Sequence, residues 1–317
     1  MANKNVLVLY YSQTGQLERL VKSVINPLES CTSINVTLEE ISPSEDFEFP
    51  WNFFKFFDAF PECVYMDAPP INQPKAEEKK YDLIILAYQV WFLSPSLPIT
   101  GMLHSEFAKN VFQDTPVVTL IGCRNMWLMA QEKVKYTLKK LKARHIDNIV
   151  LVDQGGSLAN FITVTRWLLT GKKDRYLGLF PKPGISDKDI DESSRFGYAI
   201  KDALENSENP ITRSILEGYK AVTVDESLIF GEKSAHRMFK IWGKLFRAVA
   251  PRKSLKRYPL IIAFAIYLVL AIILIVPIPM LIKKVLSPFK KNNTNNEKVY
   301  FEAPSGSGTF NLNPKKD

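Results

Sequence analysis

The sequence predicts an α/β fold. It is a doubly wound parallel five-stranded sheet in the order 2-1-3-4-5, with a C-terminal amphipathic helix and one membrane helix. Three observations predict it. Apolar strand runs alternate with helical patterns over residues 1–205. The first run breaks into a loop of small hydroxyls, an amide and one glycine, and a helical pattern follows at once. Near the other end, residues 260–282 are 23 in number and carry no charge.

Strands are read at 6–11, 34–38, 83–88, 116–121 and 148–152. Helical patterns occupy 16–25, 99–112, 127–143 and 187–204, the last opened by a Ser186 cap. In a parallel sheet of that order, a ligand sits over the carboxyl ends of the strands where the strand order reverses. The loops after the first, third and fourth strands are therefore the candidate site.

The chain of 317 residues is 46% hydrophobic and 23% charged, ordinary for a globular protein. Its net charge of +8 is local. The segment 233–291 holds 13 Lys/Arg and no acid, leaving 28 basic against 33 acidic residues elsewhere. That basic segment brackets the apolar run, which points to membrane and not to nucleic acid. The expected organisation is a cofactor domain at 1–205, a basic, membrane-interfacial connector at 206–258, a transmembrane helix at 259–282 and a disordered polar tail at 283–317. In the connector, Arg237, Lys240, Lys244 and Arg247 form one helical face, and Met238, Ile241, Trp242, Leu245 and Val249 the other. Docking of that second face on the protein's own core is the alternative. The opening residues lack a signal-type pattern, so the body is placed in the cytoplasm on a single-pass anchor. Three widely spaced cysteines argue against a disulfide framework. Three histidines without close Cys/His spacing predict no metal site.

The first loop, Ser12-Gln13-Thr14-Gly15-Gln16-Leu17, has neither a G-x-G-x-x-G pattern nor a Gly-Lys-Ser/Thr ending. It resembles the flavodoxin phosphate loop, which implies FMN gripped by its terminal phosphate within a flavodoxin-like fold. Leu17 stands where such loops usually carry a third hydroxyl. An ordinary β–α turn is the plain alternative. The second loop, Gln89-Val90-Trp91-Phe92, resembles the Pro-x-Trp-Trp stretch of flavodoxin-fold quinone reductases, with Gln89 in place of the proline. The third loop contributes Gly122, Cys123, Arg124, Asn125 and Trp127. All these residues are expected at the cofactor, unless Trp91 and Phe92 are merely core and Arg124 a paired surface cation. Arg124, Gln89 and Tyr88 are the candidates for stabilising negative charge on a reacting ring.

Two regions exceed a minimal fold of this kind. One is the Phe-rich stretch 47–60, which caps the cofactor, walls an alkyl groove, touches lipid or simply packs on the sheet. The other is 153–175, with an apolar patch followed by a basic loop. With the opening Val-Leu-Val-Leu-Tyr-Tyr-Ser-Gln-Thr-Gly-Gln-Leu and the Phe-rich stretch, the whole chain resembles the dialkylresorcinol condensing enzyme family of flexirubin and aryl-polyene pigment biosynthesis. That resemblance implies an FMN-dependent oxidoreductase, membrane-bound and working beside a ketosynthase-like partner, that aromatises a lipophilic dialkyl cyclohexanedione to a dialkylresorcinol. The residues themselves leave open an NAD(P)H:quinone reductase, or a non-enzymatic electron carrier or membrane scaffold.

Overall fold

The computed structural model describes residues 3–155, 157–207, 210–272 and 291–306. The central sheet joins β1 (Lys4–Tyr10), β2 (Ile34–Glu40), β3 (Leu83–Trp91), β4 (Ser94–Pro95), β5 (Pro116–Cys123) and β6 (Arg144–Val152). Its order is β2-β1-β3-β5-β6, all parallel, with β4 turned back antiparallel on β3. The five parallel strands and their sequence of neighbours are those expected. The sixth is an addition, made by Phe92 and Leu93 at φ 49° and 57°, which fold the chain back within two residues. Positive φ at both positions is what the tightest hairpin requires, and bulky residues adopt it only under strain.

Each inner strand is apolar on both faces, as a sheet covered on two sides demands. Val6, Val8 and Tyr10 meet α1 (Gln16–Glu29), α8 (Asp187–Glu192) and α9 (Ser194–Glu205). Leu7, Leu9 and Tyr11 face α4 (Leu97–Leu103), α5 (Glu106–Phe112) and α6 (Leu128–Lys140). The expected 99–112 helix is two helices, because the Ser105 hydroxyl caps a new start by accepting from the Ala108 N–H at 3.1 Å. The Ser186 cap forms as expected.

The C-terminal part departs furthest from expectation. Among the described residues the uncharged run does not form a spanning helix. α11 (Tyr258–Leu270) has 13 residues, and no helix among the described residues is long and apolar enough to cross a membrane. Residues 273–282 of that run lie outside the described residues. The single-pass membrane placement is thereby overturned. Instead α11 docks on the body. Its Ile261 and Phe264 are fully buried with Phe60, Val64 and Phe246. Phe60 and Phe246 come from α3 (Phe60–Tyr65) and α10 (Glu226–Val249). The Phe-rich stretch, α2 (Phe53–Asp58) with α3, is thus the seat for the C-terminal helices.

α10 does not dock on the body through the Met238-to-Val249 face, the alternative reading of that pattern. Gly243 and Phe246 are buried and Trp242 partly so, whereas Met238, Ile241, Leu245 and Val249 are exposed. The expected disordered tail is in part a helix, α12 (Lys291–Glu302), and Ser305 beyond it donates to the buried Asp147 of β6 at 2.9 Å.

A buried ion pair fixes this docking. Arg257, 1% exposed, reaches Asp58 at 3.1 Å and Glu62 at 2.9 Å and donates to the Ala250 carbonyl at 2.8 Å. Such a pair adds little over an apolar substitute, but loss of one partner strands the other charges. Arg257→Met is therefore expected to lower stability by about 3–5 kcal/mol, read as a shifted urea midpoint of the full chain. A shift under about 1 kcal/mol would show that Asp58 and Glu62 are satisfied without it.

Candidate functional site

The carboxyl ends of β1, β3 and β5 converge, and the three nominated loops meet there. The first enters α1 through Gly15, whose φ of +76° is open to glycine at little cost. The Ser12 hydroxyl accepts from the Glu18 N–H at 3.2 Å. The N–H groups of Gln13, Thr14, Gly15, Gln16 and Leu17 have no hydrogen-bond partner among the described residues. Five consecutive unpartnered amides at a helix start make a concavity for an anion.

The two glutamines hold other elements to this loop. Gln13 donates to the carbonyls of Phe47 and Glu48 at 3.2 and 3.3 Å and accepts from the Trp51 indole at 3.1 Å. With its amide oriented so that oxygen meets the donors, Gln16 accepts from the Ile185 N–H at 3.2 Å and from the Lys173 ammonium at 3.1 Å. The Leu17 side chain is core, 2% exposed, and a Cβ on Gly122 would lie 3.2 Å from it. Only its backbone faces the loop's concavity.

In the second loop Gln89 donates to the Tyr11 carbonyl at 3.3 Å, tying β3 to β1 across the point where the strand order reverses. Val90 pairs with Pro95 in the hairpin. Trp91 stands edge-to-face with Tyr11, Phe47 and Trp51, at centroid distances of 6.0, 5.3 and 5.4 Å. Phe92 turns the other way, onto Phe56 and Phe60. The neighbouring pair therefore divides: Trp91 belongs to the site wall and Phe92 to the seat of the C-terminal helices.

In the third loop Gly122, Cys123, Arg124 and Asn125 are part-exposed at the strand ends. Burial, with Glu232 and Asp153 adding like charge, pushes the Cys123 thiol well above its ordinary value and favours the protonated form. Burial lowers Arg124 to about 10, which leaves it charged at neutral pH. Its guanidinium lies 5.4 Å over the Phe161 ring.

Two nominated side chains are elsewhere. Tyr88 is 0% exposed and donates to Gln131 beneath the sheet, with its phenol raised well above its ordinary value by burial. Trp127, 2% exposed, packs in the same lower core. Side chains alternate along a strand, so Tyr88 points away from whatever Gln89 faces.

A roof over the loops was not among the nominated contacts. After β6, Asp153 accepts from the Gly155 N–H at 2.9 Å and from the Gly184 N–H, pinching the two ends of the intervening excursion together. Within it, α7 (Ser157–Thr170) brings Phe161 to Arg124, and the Leu168 carbonyl accepts from the Trp51 N–H at 2.7 Å. A cleft of about 370 Å³ beside it is lined by Phe161, Ile162, Arg166, Leu169 and Tyr176. The signal was present: Asp153 follows the last strand at the same sheet end as the other three loops.

Beneath the third loop, the start of α6 is already occupied. Glu232 of α10, 0% exposed, accepts from the Met129 N–H at 2.7 Å. Of these two starts, that of α1 is the one left for a ligand's charge.

No protein-family model and no curated protein matches the chain. Among solved structures it is similar to the FMN-complexed flavoprotein from Lactobacillus acidophilus NCFM, with 21% identity, 46% of this chain and 91% of that chain covered, and a TM-score of 0.37. It is also similar to the WrbA-like flavodoxin protein from Agrobacterium tumefaciens (13% identity, 65% and 100% covered, TM-score 0.34) and to oxidised flavodoxin 1 from Bacillus cereus (9%, 65% and 100%, 0.34). Likenesses of this size say nothing about chemistry, which rests on the loops.

Burial pushes the Glu232 carboxyl from 4.5 up to about 8. A folded-state value above the unfolded one means that the protonated form favours the fold. Its contribution is full below pH 4.5 and is lost as pH rises toward 8. Glu232→Gln is expected to flatten that decline, matching the parent chain in melting temperature near pH 4 and exceeding it near pH 8. Parallel melting curves across the window would contradict an ionising carboxyl at this position.

Proposed function

We propose that the chain is a flavoprotein that holds FMN at the carboxyl ends of β1, β3 and β5. The observation that carries this reading is the run of five unpartnered N–H groups from Gln13 to Leu17, with the Thr14 hydroxyl beside them and Gly15 in the left-handed region. They fit a terminal phosphate. The donors are preformed, the segment 12–17 carries no charge of its own, and the α1 dipole adds its positive end. Gln89 and the backbone of Val90 and Trp91 supply polar groups for the edge of a flat ring, and the aromatic wall supplies apolar contact for its body.

The reaction we assign is oxidation of a lipophilic cyclic dione to an aromatic diol, the step implied by the likeness to the dialkylresorcinol condensing enzymes. FMN, when bound, would supply the two-electron acceptor for the hydride that leaves the ring, the matching proton being lost to water as the dione enolises and tautomerisation then giving the aromatic diol. The chain's own residues do the rest. Arg124, charged at neutral pH and covered by Phe161, stabilises negative charge on a ring oxygen. Phe47, Trp51 and Trp91 keep water from the reacting carbon. Tyr88 takes no part, since its phenol lies below the sheet.

A visible absorption titration of the purified full chain with FMN tests the reading. The expected result is a saturable, shifted flavin spectrum at one equivalent. Thr14→Glu, which sets a carboxylate among the five donors, should abolish it while leaving the far-ultraviolet circular dichroism unchanged. A parent chain that stays colourless in excess FMN, or a variant that keeps full occupancy, would overturn the assignment.

A further inference from the structure

The roof carries a cation to the open N-terminus of α1. Lys173 lies in the loop after α7, and its stem crosses the Trp167 ring with the ammonium 4.9 Å from the centroid. The ammonium ends on the Gln16 carboxamide at 3.1 Å. Gln16 is the first residue of α1 and one of the five with an unpartnered N–H.

Every carboxylate near this lysine has another partner. Asp187 is held by Arg19 at 2.8 Å, and Asp174 by Arg166 at 2.9 Å. Asp153 is spent on the Gly155 and Gly184 amides. Partial burial, with the like charges of Arg19 and Lys182, lowers the lysine's affinity for its proton against the opposing pull of Asp187 and Asp153. A cation whose nearby carboxylates are each engaged elsewhere, beside an uncharged anion cradle, has room for an anion of its own.

We propose that Lys173 is the counter-charge for the cofactor's phosphate, so that the roof closes on the phosphomonoester and the phosphate in turn fixes the roof. This rests on the FMN reading and adds to it a residue outside the 12–17 loop. A phosphomonoester is close to dianionic at neutral pH. Backbone amides bear only partial charge, so one full cation supplies what the cradle lacks. The geometry also explains the clasp at the base. Asp153 holds residues 155 and 184 together at the sheet end, while the Leu168 carbonyl on the Trp51 N–H and the Trp167 ring under its stem set Lys173 over α1.

The experiment compares FMN with riboflavin, which lacks the phosphate, on the full chain, on Lys173→Met and on Lys173→Arg, by flavin fluorescence quenching. Lys173→Met is expected to weaken FMN by about tenfold, the worth of one charge-assisted hydrogen bond. Riboflavin should be unchanged, and Lys173→Arg should restore most of the FMN affinity. In a second readout, FMN but not riboflavin should slow tryptic cleavage at Lys172, Lys173 and Arg175 in the parent chain. Unchanged FMN affinity in Lys173→Met, or equal weakening of both flavins, would overturn this proposal and leave the FMN reading standing. A parent chain that binds FMN no better than riboflavin would overturn the phosphate placement itself, and one that binds neither would overturn both proposals.

Discussion

The position of β1 between β2 and β3 is the constraint on which the rest depends. Its neighbours on either side follow it in sequence, so the chain must leave the sheet toward opposite faces after β1 and after β3. α1 covers one face and α4 to α6 the other. No connection then crosses the carboxyl ends of those two strands, and a crevice is left there. Gln89 bridges it to Tyr11, and the unpaired amides of the 12–17 segment open into it. Had β3 paired on the far side of β2, neither loop would face the other.

What fills the margins of the crevice is aromatic and comes from outside the basic fold. Phe47 and Trp51 approach from the insertion after β2, Trp91 from the strained hairpin after β3, and Phe161 and Leu168 from the roof after β6. Hydrogen bonds fix where these apolar surfaces lie: Trp51 is held at its indole by Gln13 and at its backbone by Leu168. Apolar contact supplies attraction without direction, and the amides supply the direction. The strain at Phe92 and Leu93 is sustained by the same arrangement, since Phe92 is gripped between α2 and α3 while Trp91 is held in the wall.

Much of this was legible in the residues. Strand positions were readable from uninterrupted apolar runs, and Gly15 from its place between a strand and a helical pattern. The division of labour within the loops was not. Trp91 and Phe92 look equivalent in sequence, yet Trp91 reaches Tyr11 and Phe47 while Phe92, at positive φ, also reaches Phe60 and the seat of the C-terminal helices. Tyr88 and Gln89 adjoin, yet the pleat puts one below the sheet and the other above. Lys173 reads as one cation in a run of basic residues. Only the pinch at Asp153 and the stacking on Trp167 bring it to Gln16, 157 residues away in the chain.

By itself the sequence determined the parallel sheet, the helices on its two faces and the loop at the start of α1. These follow from periodicity and from single residues with narrow conformational options. Tertiary structure decided the fate of the apolar segments. α11 and the Phe-rich stretch each look fit for lipid, and in the fold Ile261 and Phe264 of the one are buried against Phe60 and Val64 of the other, with Arg257 locked to Asp58 and Glu62 at the join. Hydrophobicity records that a segment leaves water. It does not record against what, because that free energy depends on the area covered and hardly at all on which chemical surface covers it.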